Sequence, residues 1–161
     1  MKVFFDTEFT SLLEKPKLIS IGLISEDGSK QFYAELSDTY NFSDVSDFAK
    51  EKVIPLLDGS NLQSIDQLKA NLLRWIEEFE TEIVLATDSF NWDWPIIIEI
   101  FGEAWPKNLS SECYLLNMNY MKNADAFYDA VKLAYENGLK KHHAMHDAIA
   151  NRLGWIASEN G

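Results

Sequence analysis

The order of strand and helix patterns along the chain constrains its fold more than any other feature. Three segments with strand character come first, at residues 2–6, 17–25 and 30–36. The second is largely apolar and β-branched, and the third alternates apolar and polar residues. Turn-forming residues at positions 26–29 separate the second segment from the third. This order predicts a three-stranded antiparallel meander.

Helical and strand patterns alternate along the rest of the chain. A capping box formed by Ser64 and Gln67 marks the start of one helix, and Pro95 near a first helical position marks another. The predicted helices span residues 43–54, 64–79, 94–101, 124–137 and 144–157, and two further strands span residues 82–87 and 112–116. Together with the meander, this alternation predicts an α/β fold: a mixed five-stranded sheet, with parallel strands added to the meander and helices on both faces.

Length and composition predict a single domain over residues 1–161, because 47% of the residues are apolar and can form a sizeable core. No run of about 18 uncharged apolar residues occurs, so we expect no membrane span and no membrane partner. Cleavage of an N-terminal signal would remove Asp6, an acidic residue of interest, so we expect no signal peptide. The single cysteine, Cys113, excludes an internal disulfide and favours a cytoplasmic location.

The charge of the chain argues against a general binder of long nucleic acids. Fourteen basic residues oppose 26 acidic ones, which gives a net charge of −12. Affinity for polynucleotides comes largely from lysine and arginine contacts to phosphates. Such a surface favours short substrates, or contact with a strand only near its end.

Acidic residues in three short motifs carry the chemical information. Asp6 and Glu8 are two positions apart at the end of the first predicted strand, so in strand conformation their side chains point to one face. Asp93 and Asp147 follow much later in the chain. Carboxylates are preferred ligands of Mg²⁺ and Mn²⁺, and a pair of such ions can promote phosphodiester hydrolysis. Read locally, the first pair is also compatible with a solvated strand end, and Asp93 with an N-cap at a helix start.

Two adjacent histidines precede the last acidic residue, and local geometry alone does not choose between them. On a regular helix, His142 and Asp147 would lie about 140° apart, whereas His143 and Asp147 would share a face. If His142 lies in a loop before the helix, this restriction does not apply to it. Gly138, which ends the preceding predicted helix, makes such a loop compatible with the sequence.

The three motifs, in this order, resemble those of the DEDD exonuclease superfamily, in the subclass that uses histidine as base (DEDDh). That subclass has D-x-E, N-x3-[FY]-D and H-x4-D motifs. The first matches residues 6–8 together with Thr10, and the third matches residues 142–147. The second departs from the pattern, since Asp88 replaces Asn and Trp92 replaces Phe or Tyr.

The motifs extend from residue 6 to residue 147 and so cover nearly the whole chain. The compact length and the run Leu-Ile-Ser-Ile-Gly at residues 18–22 also resemble the small stand-alone bacterial 3′–5′ exoribonucleases of mycobacterial type.

This resemblance implies a ribonuclease-H-like fold and a metal-dependent 3′–5′ exoribonuclease that releases nucleoside 5′-monophosphates from short or single-stranded RNA. It implies two divalent cations, Mg²⁺ or Mn²⁺, and His142 as the general base, with His143 as the rival. The implied metal ligands are Asp6, Glu8, Asp93 and Asp147. Asp6 would serve both ions, and Asp88 is left out of the ligand set. Small members of the family are often dimers, so a homodimer is a further expectation.

Residues next to the motifs are the expected substrate contacts. They are Thr7, Phe9, Thr10 and Trp92, although core packing is an alternative role for the aromatic residues. Two other functions fit the same residues. A DNA-directed proofreading or repair exonuclease of the subclass would use the same chemistry. A catalytically silent ribonuclease-H-like interaction module is the third possibility, but the presence of all four carboxylates and the histidine argues against it.

Overall fold

The computed structural model describes residues 1–12 and 15–161, which form one mixed sheet with helices on both of its faces. The strands are β1 (Lys2–Phe9), β2 (Leu18–Ser25), β3 (Gln31–Leu36), β4 (Leu62–Gln63), β5 (Ile83–Thr87) and β6 (Leu109–Leu115). The helices are α1 (Asp47–Lys52), α2 (Ile65–Glu77), α3 (Phe90–Phe101), α4 (Ala124–Glu136) and α5 (Ala144–Asn160). Two short 3₁₀ helices, Phe42–Asp44 and Ile54–Leu56, flank α1.

The sheet has the strand order β4-β3-β2-β1-β5-β6. Strands β1, β2 and β3 form the predicted antiparallel meander. Strands β5 and β6 extend it in parallel from β1, as the alternating pattern predicts. The α/β class and the mixed sheet are therefore confirmed.

The predicted number of strands is wrong, because the sheet has six strands rather than five. The additional strand, β4, has only two residues and pairs in parallel with the end of β3. The backbone N–H of Glu35 donates to the carbonyl of Asn61, and that of Ser37 donates to the carbonyl of Gln63. A two-residue strand has no periodicity that could be recognised in a sequence, so its existence depends on the neighbouring edge.

The helix predicted over residues 43–54 is also wrong, since three short helical segments occupy this region. The reason is a second capping residue inside the predicted span. The hydroxyl of Ser46 accepts a hydrogen bond from the backbone N–H of Ala49 and starts α1 anew. Upstream, Asn41 and Asp44 form a capping box around the first 3₁₀ turn.

Side-chain alternation along β1 assigns its residues to the two faces of the sheet. Val3 and Phe5 enter the core formed with α2 and α3. Phe4 enters the opposite core, which includes residues of α4 and α5. By the same alternation, Asp6 and Glu8 lie on the face of Phe4. Within the described ranges, no helix is both long and apolar enough to cross a membrane.

Candidate metal centre

A cavity of about 510 Å³ opens where β1 separates from β5. The pairing between these two strands ends at Phe4 and Ala86, whereas β1 continues to Phe9 along β2. The acidic end of β1 therefore has a free edge toward α3. The cavity lining includes Asp6, Thr7, Glu8, Phe9, Asp93, His142 and Asp147. All five residues predicted to act in catalysis or metal binding thus meet in one cavity.

Asp93 occupies the gap between β1 and β5 and is only 1% exposed. The hydroxyl of Thr7 donates to its Oδ1 at 2.6 Å, and the hydroxyl of Thr87 donates to its Oδ2 at 2.5 Å. The helix predicted to start at residue 94 begins at Phe90, so Asp93 lies inside the first turn and is not the N-cap. The local interpretation of Asp93 as a cap is wrong. Its carboxylate instead joins α3 to both strands.

A close contact between β2 and α5 brings Asp147 to the cavity. A Cβ atom on Gly22 would overlap the backbone N and Cα atoms of Met145, so glycine lets the start of α5 lie directly on the sheet. Gly22 is paired with Asp6 across the strands. The hydroxyl of Tyr135 donates to Asp147 Oδ1 at 2.8 Å, which orients the carboxylate from α4.

The two adjacent histidines point to different surroundings. His142 lies in the loop before α5 with a φ of 69°, in the left-handed region, and its backbone N–H donates to Asp147 Oδ2 at 2.9 Å. Its side chain lines the cavity. The side chain of His143 does not line the cavity. Its ring stacks on that of Tyr33, with centroids 4.8 Å apart, and on that of His146, with centroids 4.3 Å apart. The loop therefore places His142, and not His143, in the cavity.

Possible ligand atoms of the cavity residues, together with those of Asp88 beside the cavity, form two groups. Atoms of Glu8, His142 and Asp147 lie within 4.8 Å of one another. Atoms of Asp6, Asp88 and Asp93 form a second group by the same distance. Each group has the size and chemistry of a site for one hard divalent cation.

The cavity holds a cluster of crowded carboxylates that repel one another. Burial raises the pKa of Glu8 to about 8, with the charges of Asp147 and Asp93 adding to the effect. Burial also raises the pKa of Asp6 well above its ordinary value, and four neighbouring carboxylates raise it further: Asp93, Asp147, Glu8 and Asp88. Among the residues the structure describes, none of the ion pairs includes a member of this cluster.

Two of the carboxylates are held by hydrogen bonds that partly offset their burial. Burial raises the pKa of Asp93 to about 7, although the bonds from Thr7 and Thr87 oppose this increase. Burial raises the pKa of Asp147 to about 6, opposed by Tyr135 and by the backbone of His142. Asp6 differs from both, because its buried Oδ2 atom has no hydrogen-bond partner among the described residues.

The unpartnered Asp6 oxygen and the uncompensated charge fit a divalent cation. A buried carboxylate oxygen without a donor is costly unless a positive charge accompanies it. Oxygen ligands from several carboxylates are also what Mg²⁺ and Mn²⁺ prefer. The residues present therefore fit the cations that the sequence predicts.

The expected substrate contacts occupy different positions around the cavity. Phe9 lines it and stacks on Trp92 with ring centroids 5.8 Å apart. Trp92 itself borders an adjoining shallow cavity. Thr7 is buried against Asp93. Thr10 is 2% exposed, outside the cavity lining, and its hydroxyl accepts from the backbone N–H of Lys17 at 3.1 Å.

Sequence reasoning missed several residues that shape the site, among them Tyr135, Asn151 and Asp88. Tyr135 and Asn151 lie on helices whose patterns show only amphipathic spacing, so no local signal indicates their polar contacts. Asp88 had a signal, since it stands at a motif position, but its role was left undecided.

A scan against protein-family models and a search of curated proteins each return no match to this chain.

Proposed function

We propose that this protein is a metal-dependent 3′–5′ exoribonuclease with a ribonuclease-H-like fold, which releases nucleoside 5′-monophosphates from short or single-stranded RNA. One observation carries the proposal: the buried Oδ2 of Asp6 has no hydrogen-bond partner among the described residues, and the charges of four further carboxylates act on Asp6. The order of the three motifs, which resembles that of DEDDh exonucleases, gives the reaction class.

Asp6, Glu8, Asp93 and Asp147 would hold the divalent cations. When bound there, Mg²⁺ or Mn²⁺ would neutralise charge on the attacked phosphate and acidify the attacking water. The protein prepares this site by fixing its ligands. Hydrogen bonds from the two threonines and from Tyr135 hold Asp93 and Asp147 before any substrate arrives.

His142 would accept the proton of the attacking water. Its pKa is lowered by burial and then by the positive charges of Lys141 and Lys52, so the ring is neutral near pH 7 and able to accept a proton. Phe48 contacts the ring edge to face at 5.1 Å, which helps to orient it. The water oxygen would form a bond to phosphorus as the bond to the 3′ oxygen of the preceding nucleotide breaks. That oxygen would leave as a hydroxyl by taking a proton from solvent, and His142 would return the proton it accepted to solvent.

The mouth of the cavity supports a substrate that enters by its end. Phe9 lies beside the acidic pair, and Leu12 and Phe48 are 65% and 56% exposed at the cavity. Such apolar side chains suit a terminal base or ribose, since bases stack on aromatic rings irrespective of sequence. The net charge of −12 would repel longer polyanions. The direction of degradation and the preference for RNA follow from the family resemblance.

Product analysis with short oligonucleotides tests the proposal. RNA labelled at its 5′ end, incubated with Mn²⁺, should shorten one nucleotide at a time and release nucleoside 5′-monophosphates. A matched DNA oligonucleotide should react more slowly, and faster cleavage of DNA would favour the DNA-directed alternative. Asp6→Asn is the control for contaminating nucleases. Internal cleavage, or no turnover by a folded protein in Mn²⁺, would refute the proposal.

A further inference from the structure

Asp88 lies directly after β5, at the position where the DEDDh pattern has asparagine. It is exposed, but one of its carboxylate oxygens lies in the group formed with Asp6 and Asp93, in which the ligand atoms are within 4.8 Å of one another. Its charge also raises the pKa of both neighbours. The departure from the family pattern therefore adds a third carboxylate to one half of the site.

A buried residue of α5 holds Asp88 in this position. Asn151 is 4% exposed, and its Nδ2 donates to Asp88 Oδ1 at 2.9 Å. The amide is neutral, so it orients the carboxylate without cancelling its charge. If Asp88 only terminated β5, its carboxylate would not need a hydrogen bond from Asn151, which is 63 positions further along the chain. Within residues 1–12 and 15–161, Oδ1 is the Asp88 oxygen that accepts this bond, which leaves Oδ2 to a ligand.

A second observation indicates what that ligand is. Asp6 belongs to the same group, and its buried Oδ2 has no hydrogen-bond partner among residues 1–12 and 15–161. Asp93 cannot supply one, since both of its oxygens already accept from threonines. A cation shared by the three carboxylates would satisfy the Asp6 oxygen and relieve their mutual repulsion.

We propose that Asp88 is a metal ligand, and that Asp6, Asp88 and Asp93 form a cation site that fills before nucleic acid binds. The catalytic meaning of this site rests on the proposed function. The affinity of oxygen sites for divalent cations depends on the number of charged ligands. Three carboxylates attract a divalent cation more strongly than two, so this chain needs less help from the substrate phosphate to retain it.

Titration calorimetry with MnCl₂, on protein without nucleic acid, tests the inference. The wild type should bind two Mn²⁺ ions. Asp88→Asn should lose one ion or bind it on the order of 10–100-fold more weakly. Asparagine can still accept the Asn151 hydrogen bond, so the local structure is retained. Asp129→Asn, an exposed aspartate on α4 outside the cavity, is the matched control and should titrate like the wild type.

Two results would overturn the inference: an Asp88→Asn titration equal to that of the wild type, or no Mn²⁺ ion bound by the wild type without nucleic acid. A melting series in Mn²⁺ provides an independent readout, since Asp88→Asn should gain less stability from the ion than Asp129→Asn. Binding of two ions without RNA hydrolysis would refute the proposed function and leave this site supported. RNA hydrolysis by the wild type, combined with an unchanged Asp88→Asn titration, would refute this cation site and leave the proposed function supported.

Discussion

Glu8 should destabilise the metal-free protein at neutral pH, and Glu8→Gln should remove this cost. The side chain is only 9% exposed, and burial, followed by the charges of Asp147 and Asp93, raises its pKa from 4.5 to about 8. The folded state thus binds a proton that the unfolded state has already released over this interval. Because a group with a raised pKa favours folding only while it is protonated, the stability of the wild type should fall as the pH rises from about 4.5 to about 8.

The size of the effect follows from the two pKa values. Each pH unit within the interval costs roughly 1.4 kcal/mol, so the loss reaches roughly 3 kcal/mol at pH 7 and roughly 4 kcal/mol at pH 8. At pH 5 it is only about 1 kcal/mol. Glutamine resembles the protonated acid and does not titrate. The stability advantage of Glu8→Gln over the wild type should therefore grow with pH by these amounts.

Urea denaturation in EDTA at several pH values between about 5 and 8 measures this advantage. Titrating groups away from the cluster are common to both proteins, so the difference between them reports Glu8 and its repulsion of the neighbouring carboxylates. Glu103→Gln, at an exposed position outside the cavity, should show no such trend. With saturating Mn²⁺ the order should reverse, because the ion binds the wild-type carboxylate. A Glu8→Gln advantage that stays constant or shrinks with rising pH would refute the assigned burial and repulsion.

Three further predictions concern the metal, the base and the packing of α5. Mn²⁺ should raise the melting temperature and start RNA hydrolysis, and Asp6→Asn should be the most damaging single change, because this carboxylate faces all the others. His142→Ala should lower kcat by roughly 10²–10⁴-fold and retain Mn²⁺ binding by calorimetry, whereas His143→Ala should cost much less. Gly22→Ala should lower the free energy of unfolding by roughly 1–3 kcal/mol in urea denaturation, since its methyl group would meet the backbone of Met145.

Each of these predictions has a result that contradicts it. Hydrolysis that persists in excess EDTA would exclude the metal-dependent mechanism. A large loss in His143→Ala with near-normal turnover in His142→Ala would reverse the assignment of the base. Weakened Mn²⁺ binding by His142→Ala would identify His142 as a metal ligand and not as the base. Its position near Glu8 and Asp147 is compatible with that role. Unchanged stability of Gly22→Ala would show that α5 can move away from the sheet at no cost.

Features that depend on neighbouring residues in the chain were predictable from the sequence. The spacing of Asp6 and Glu8 placed both side chains on one face, because side chains alternate along any strand, and β1 continues to Phe9, beyond the predicted end at residue 6. The capping box at Ser64 correctly marked the start of α2, with reciprocal bonds to Gln67. Turn residues and apolar runs likewise indicated the meander and the two parallel strands.

Features that depend on contacts between distant residues were decided only by the tertiary structure. The bond from Thr7 to Asp93 joins residues 86 positions apart, and it determines that Asp93 closes the gap between β1 and β5 instead of capping α3. The bond from Asn151 to Asp88 joins residues 63 positions apart and holds Asp88 beside Asp6 and Asp93. No local pattern encodes such pairs, since neither partner affects the helix or strand propensity of the other.

The choice between the two histidines shows the same division. Sequence spacing allowed both, because the geometry depends on where α5 begins and on how its first turn meets the sheet. The close approach at Gly22 and the left-handed backbone of His142 turn one ring toward the carboxylates and leave the other stacked on Tyr33. The residue types of the site were thus readable from the sequence. Their arrangement around a common cavity came from packing across the sheet.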